Sequence, residues 1–130
     1  TMKLVNNIIS FGNLSVALEA MTLGAKAGLD PEKMVEVINA SSGRNSATET
    51  KIPNHVLTRS FDYGGAMYII EKDLELWRQE AERYESPMWL GTNIRTLFRQ
   101  CMAEFGRDVD MTMLARTLER MADVEIPKTR

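Results

Sequence analysis

The chain has 130 residues, 44% of them hydrophobic and 26% charged, with 16 lysines and arginines against 18 aspartates and glutamates. That balance fits one soluble globular domain with its own core, and it excludes a general nucleic-acid binder, which needs surplus cationic charge to displace counterions from phosphate. A single cysteine, Cys101, excludes an internal disulfide and a thiol-rich metal site and makes the cytoplasm the expected compartment.

Strands lack their primary signal, because no run of residues alternates apolar with polar and aromatics are only 7% of the chain. From about Met2 to Ala27 the sequence is apolar on nearly all sides, with charges only at Lys3, Glu19 and Lys26, which predicts a helix at the centre of a fold. Its uncharged stretch, Leu4 to Leu18, carries Asn6, Asn7, Ser10, Asn13 and Ser15 and reads as too short and too polar to span a bilayer. Gly28 predicts the C-terminal stop, and Asp30-Pro31-Glu32 predicts the start of a second helix reaching about Ala40. Ser41 to Asn45 reads as a loop. Ser46-Ala47-Thr48-Glu49 fits a capping box opening a short third helix, which Pro53 should end or kink.

Thr58 to Gly65 reads as a second loop. Met67, Ile70, Leu74, Trp77, Ala81 and Tyr84 then make an apolar stripe on a helix from roughly Ala66 to Glu85, broken by Ser86-Pro87. Leu90, Ile94, Leu97, Phe98, Cys101 and Phe105 make a fifth stripe. Asp110 caps a sixth helix carrying Met111, Leu114, Leu118 and Met121, and the tail after Val124 is expected to fray. The reading is a single all-α domain over residues 1–130, a bundle of about six helices around a long, nearly all-apolar N-terminal helix.

Few residues suggest chemistry. His55 is the only histidine, which leaves no triad and no two-histidine metal pair, and it reads as an ordinary loop residue. No metal site is expected. Cys101 and most of the nine methionines fall on apolar stripes as packing material. The acids between Glu71 and Glu85 alternate with Arg78 and Arg83 as on a solvated helix face. Gly24, Gly28 and the Gly64-Gly65 doublet form no phosphate-cradling pattern. Lys3 and Asn7 stand four apart at the start of the apolar helix, so they share one face. A lysine there can donate a proton to a reacting oxygen while the amide orients it. The plain alternative is a solvated lysine at a helix start.

Lys3-Leu4-Val5-Asn6-Asn7, the helix end Ala27-Gly28-Leu29-Asp30-Pro31, Ser41-Ser42-Gly43-Arg44 and Lys72-Asp73-Leu74-Glu75-Leu76 together resemble the C-terminal domain of the β-hydroxyacid dehydrogenases. The similarity is greatest to the 3-hydroxyisobutyrate dehydrogenase type within the 6-phosphogluconate dehydrogenase-like group, and it extends through Pro87-Met88 and the Gly106 to Asp110 turn. The resemblance implies an N-terminal Rossmann domain, absent from this sequence, that holds most of an NAD or NADP cofactor. It also implies a homodimer or larger homo-oligomer and a small 3-hydroxy acid or its semialdehyde as substrate. Lys3 is the implied general acid/base, Asn7 and Asp73 the implied substrate-binding residues, and Lys72 the residue that approaches the cofactor.

Helix geometry agrees in direction: at about 100° per residue Lys72 points away from the Met67 to Tyr84 stripe, whereas Asp73 lies on its flank. One departure is Gly65, where many members carry an aromatic wall of the substrate pocket, so a roomier or differently shaped pocket is expected. Trp77, at a position where small residues are common, is expected to fill space between helices. The rival reading is a helical dimerisation module without catalysis, which has no chemical need for Lys3 and Asn7 together.

Overall fold

Five α-helices, one π-helix and one 3₁₀ turn make up the regular structure among residues 1–127, the part described by the computed structural model. In chain order they are α1 (Met2–Lys26), α2 (Pro31–Asn39), the π-helix (Ala47–Val56), α3 (Met67–Arg83), α4 (Trp89–Phe105), the 3₁₀ turn (Met111–Met113) and α5 (Leu114–Ala122). The sixth helix of the sequence reading is thus a 3₁₀ turn running into α5. Helix α1 lies at the centre and packs against every other helix, while α3 and α4 form an antiparallel pair on one side of it. Leu14, Leu18 and Met21 of α1 meet Met67, Leu74, Phe98 and Leu114 in a core where each is at most 1% exposed. Burying such a side chain contributes about 1.5–3 kcal/mol.

Local chemistry sets most of the boundaries. Beyond Lys26 the Gly28 N–H donates to the Ala25 carbonyl at 3.0 Å and the Leu29 N–H to the Gly24 carbonyl at 2.9 Å, with Gly28 at φ 89. These two hydrogen bonds close α1 as the glycine predicts. The Asp30 carboxylate then accepts the Lys33 N–H at 2.9 Å, with Pro31 in the first turn of α2. Between α3 and α4, a Cβ placed on Gly91 would stand 1.8 Å from the Trp77 ring. The indole therefore lies against bare backbone and fills the space between the helices, as expected of Trp77.

Four expectations are corrected. Ser46 makes no side-chain cap; the Asn45 Oδ1 accepts from Ala47 N–H at 2.8 Å and Thr48 N–H at 3.3 Å, while Glu49 faces Arg44 at 3.4 Å. Of the two outcomes expected at Pro53, the helix does not end there: its turns take the wider π form around the ring, and His55 consequently sits on a helix and not in a loop. The stripes are shorter than their sequence pattern, since Tyr84, Leu90 and Met121 lie where the helices leave the core and are 62%, 76% and 56% exposed. The tail does not fray at Val124: Ile126 is fully buried and its N–H donates to the Glu119 carboxylate at 2.7 Å. Residues 128–130 of that tail lie outside the described residues.

A single carboxylate organises the approach to α3. Asp110 accepts from the Gly64 and Gly65 N–H groups at 2.7 and 3.2 Å, and also from the Thr112 N–H and hydroxyl. The same junction carries the Met67 N–H to Val109 carbonyl bond and the Met111 N–H to Gly65 carbonyl bond, both 2.7 Å. Loop 58–66 is thereby fastened to the start of the last helical segment.

By length and composition α1 is apolar enough to cross a membrane, but 56% of its most apolar window is buried inside the domain. The remainder forms, with α4, an open groove of about 1020 Å³ whose only ionisable lining residue is Glu19. Val16, Trp89 and Leu90 along it are 68%, 85% and 76% exposed. Large apolar faces of this kind belong to protein interfaces. Sedimentation of this chain at micromolar concentration is expected to show dimers or larger assemblies, and Val16→Glu with Leu90→Glu should return it to monomers. A monomeric parent chain would contradict this.

Candidate active site

Helices α1 and α3 bring Lys3, Asn7 and Asp73 to one place. The Asn7 Nδ2 donates to Asp73 Oδ2 at 3.0 Å, and the Lys3 Nζ stands 3.9 Å from Asp73 Oδ1. The spacing of four on α1 puts the two side chains on the same face, and the flank position of Asp73 turns its carboxylate inward to meet them. Asp73 is 7% exposed, whereas the Lys3 side chain is 77% exposed. A buried anion thus holds an amide directly and leaves an ammonium open to solvent. Asn6 also donates to the Asn7 Oδ1, at 3.4 Å, so both ends of that amide are engaged. Beside Lys3 lies a hollow of about 400 Å³ lined by Thr1, Leu4, Leu76, Glu80 and Tyr84.

Lys72 follows its helical position and is exposed, with no carboxylate among the described residues within ion-pair distance. It is one residue from Asp73 and directed off the α3 surface. An unneutralised ammonium on that surface fits an anionic dinucleotide approaching from outside. No glycine-rich phosphate cradle occurs among the described residues, so these side chains fit part of such a group and not the whole. No cluster of His, Cys, Asp and Glu that could hold a metal occurs among them either.

Gly65 lies against the core. A Cβ there would meet Met111 Sδ at 2.9 Å and Ile70 Cδ1 at 3.8 Å, both core side chains. The missing side chain makes room for these core residues. The acids of α3 also depart from a purely solvated face. Glu71 and Glu75 reach Arg95 of α4 at 3.1 and 2.9 Å, and hydrogen bonds from Arg78 hold the Glu75 carboxyl down to about 2. Cys101 is core as expected, and burial pushes its thiol up to about 11.

Two groups escaped the sequence reading. Lys51 on the π-helix is 4% exposed, and its Nζ donates to the Ser10 hydroxyl of α1 at 2.8 Å. Burial lowers the pKa of this lysine. Its sequence neighbours Thr50 and Ile52 gave no sign of this, because the inward face depends on the π register. Arg59 forms a bidentate pair with Glu119 at 2.9 and 3.0 Å, Glu119 being 3% exposed. That pairing spans sixty positions, and charge patterning within single helices does not reveal it.

Residues 1–118 match a family model described as NAD-binding of NADP-dependent 3-hydroxyisobutyrate dehydrogenase. The 2-(hydroxymethyl)glutarate dehydrogenase of Eubacterium barkeri is 33% identical over 126 residues, covering 96% of this chain and 42% of that protein. A crystal structure of 3-hydroxyisobutyrate dehydrogenase from Salmonella typhimurium superimposes with a TM-score of 0.83 at 23% identity, over 89% of this chain and 40% of that one. A structure of Psf3 in complex with NADP+ and 2-OPP superimposes with a TM-score of 0.78 at 24% identity, over 90% of this chain and 40% of that one. At those identities the two structures establish the shared fold. The chain spans about two fifths of the length of each of these proteins.

Proposed function

The chain belongs to the NADP-dependent 3-hydroxyisobutyrate dehydrogenase family, and from that membership we propose that it is the C-terminal helical half of an NAD(P)-dependent dehydrogenase interconverting a small 3-hydroxy acid and its semialdehyde or oxo acid. An N-terminal Rossmann domain supplies most of the cofactor site in this reading. The observation that carries it is the convergence of Lys3, Asn7 and Asp73 across two helices. A helical assembly module has no use for an exposed ammonium poised over a buried carboxylate. The apolar face of α1 and α4 supports a homo-oligomer built from the same domain.

When bound, a nicotinamide supplies the hydride in the reducing direction and takes it up in the oxidising one. In reduction, Lys3 hydrogen-bonds the substrate carbonyl oxygen and gives it the proton that completes the hydroxyl. Asp73 is a positioning residue: its carboxylate attracts the lysine head and fixes Asn7, whose amide lies one turn further along α1 beside the substrate. Lys72, outside this cluster, faces the cofactor.

The test is turnover of the full-length protein against a panel of hydroxy acids with NAD and NADP. Reduction of either cofactor by at least one 3-hydroxy acid is expected, and none with any acid would refute the reading. Lys72→Ala in the same protein should raise KM for the cofactor by more than KM for the acid. An unchanged cofactor KM would return Lys72 to an ordinary surface role.

A further inference from the structure

Among the described residues, every lysine and arginine except Lys26, Lys51, Lys72 and Arg107 has a carboxylate within 4.0 Å. Lys26 turns to the Asp123 carbonyl at 3.4 Å, and Lys51 is buried against Ser10. The two that remain, Lys72 and Arg107, are exposed, and they are neighbours. Tyr68 lies one turn before Lys72 on the same stripe of α3, and the Arg107 guanidinium stands 5.7 Å over the Tyr68 ring. The Arg107 carbonyl accepts the Tyr68 N–H at 3.0 Å and the Val109 carbonyl accepts the Met67 N–H at 2.7 Å, so the turn after α4 is fastened to the first turn of α3. Nearby acids do not neutralise the pair: Glu71 reaches Arg95, Asp73 accepts from Asn7, and Asp108 comes within ion-pair distance of neither cation. Tyr68, Ile69 and Leu76 around Lys72 are 41%, 44% and 40% exposed. A face that joins exposed apolar side chains to two unpaired cations fits a ligand with planar apolar parts and clustered anionic oxygens.

We infer that Arg107, held in place by Tyr68, joins Lys72 in gripping the pyrophosphate of the dinucleotide. The inference rests on the dehydrogenase reading, which puts the nicotinamide at the Lys3, Asn7 and Asp73 cluster. In a dinucleotide the negative charges nearest the nicotinamide are those of the pyrophosphate, whereas the 2′-phosphate that distinguishes NADP from NAD is on the adenosine ribose, at the far end. Lys72 is next in the chain to Asp73, and Arg107 sits at the turn of α3 just before it, so both cations are close to the reacting centre. With no glycine-rich cradle among the described residues, side-chain cations are what this half of the protein can offer a phosphate. The contact is therefore the same for NAD and NADP, and it ties cofactor binding to the seam between α3 and the turn after α4.

Fluorescence titration of the full-length protein with NADH and with NADPH tests this without turnover. Arg107→Gln should weaken binding of both dinucleotides by the same factor, about 10- to 100-fold, the range expected for a hydrogen-bonded contact with a charged group. Arg107→Lys should recover part of the loss, because it keeps the charge. The Arg107 side chain is exposed, so both variants should fold, and KM for the acid at saturating cofactor should stay as in the parent. Unchanged affinity for both dinucleotides in Arg107→Gln overturns the inference. A loss confined to NADPH also overturns it, because the 2′-phosphate is all that distinguishes the two probes. Equal losses in Arg107→Gln and Arg107→Lys overturn it as well, since a guanidinium that only braces the turn against Tyr68 produces that result. Dinucleotide binding that depends on Arg107 in a protein that oxidises no hydroxy acid supports the contact and refutes the dehydrogenase reading instead.

Discussion

Replacing Lys3 by alanine or methionine is expected to lower turnover of the full-length protein by about 10² to 10⁴-fold, the usual worth of a positioned general acid or base. The Lys3 side chain is 77% exposed and buries little surface, so the folded state should tolerate both substitutions and cofactor affinity should persist. Lys3→Arg separates proton transfer from charge. Guanidinium keeps the positive charge opposite Asp73 but gives up no proton near neutral pH, so arginine should leave turnover close to that of the alanine variant. Asn7→Ala should cost less and act chiefly on substrate KM. Near-normal turnover in Lys3→Ala, measured by cofactor absorbance, would end the catalytic assignment.

The largest effect on stability is expected at Glu119. Its two oxygens accept both terminal nitrogens of Arg59, and one of them also accepts the Ile126 N–H at 2.7 Å; Glu119 is 3% exposed and the Arg59 side chain 26%. Glu119→Ala leaves the Arg59 guanidinium and a buried N–H without partners, and removing one side of a buried ion pair costs about 3–5 kcal/mol. Glu119→Gln should cost less, because its amide oxygen can still accept from Ile126. Urea unfolding of the parent and both variants measures the difference. A loss below about 1 kcal/mol in Glu119→Ala would show that the pair is dispensable. Protease cleavage after Val124 should also become faster in the alanine variant, since the buried Ile126 is held through Glu119.

How far these features could be read from the amino acids depends on whether their causes are local. The Asp30-Pro31 start of α2, the Gly28 stop and the Asp110 cap are visible because the groups that satisfy the backbone are within two to five residues of it. The Lys3, Asn7 and Asp73 cluster was reachable through helical spacing and family resemblance, but its hydrogen bond joins positions 66 apart. The π register at Ala47–Val56 was not legible, since Pro53 reads as a breaker unless the turns widen. Lys51 was lost with it. Ile126 was missed because a short tail shows no periodicity, although a buried carboxylate elsewhere supplies its backbone partner.

The cation of the Lys3 and Asp73 pair belongs to α1 and the anion to α3, so their separation measures the alignment of two helices. Thr1 donating to Glu80 at 3.0 Å is a second tie across the same seam. Sliding α3 by a single turn, about 5.4 Å, would part the ammonium from the carboxylate and strand Asn7 without unfolding either helix. A ligand or neighbouring domain that pushed on α3 would therefore undo the Lys3, Asn7 and Asp73 cluster by shear alone, with no change of secondary structure.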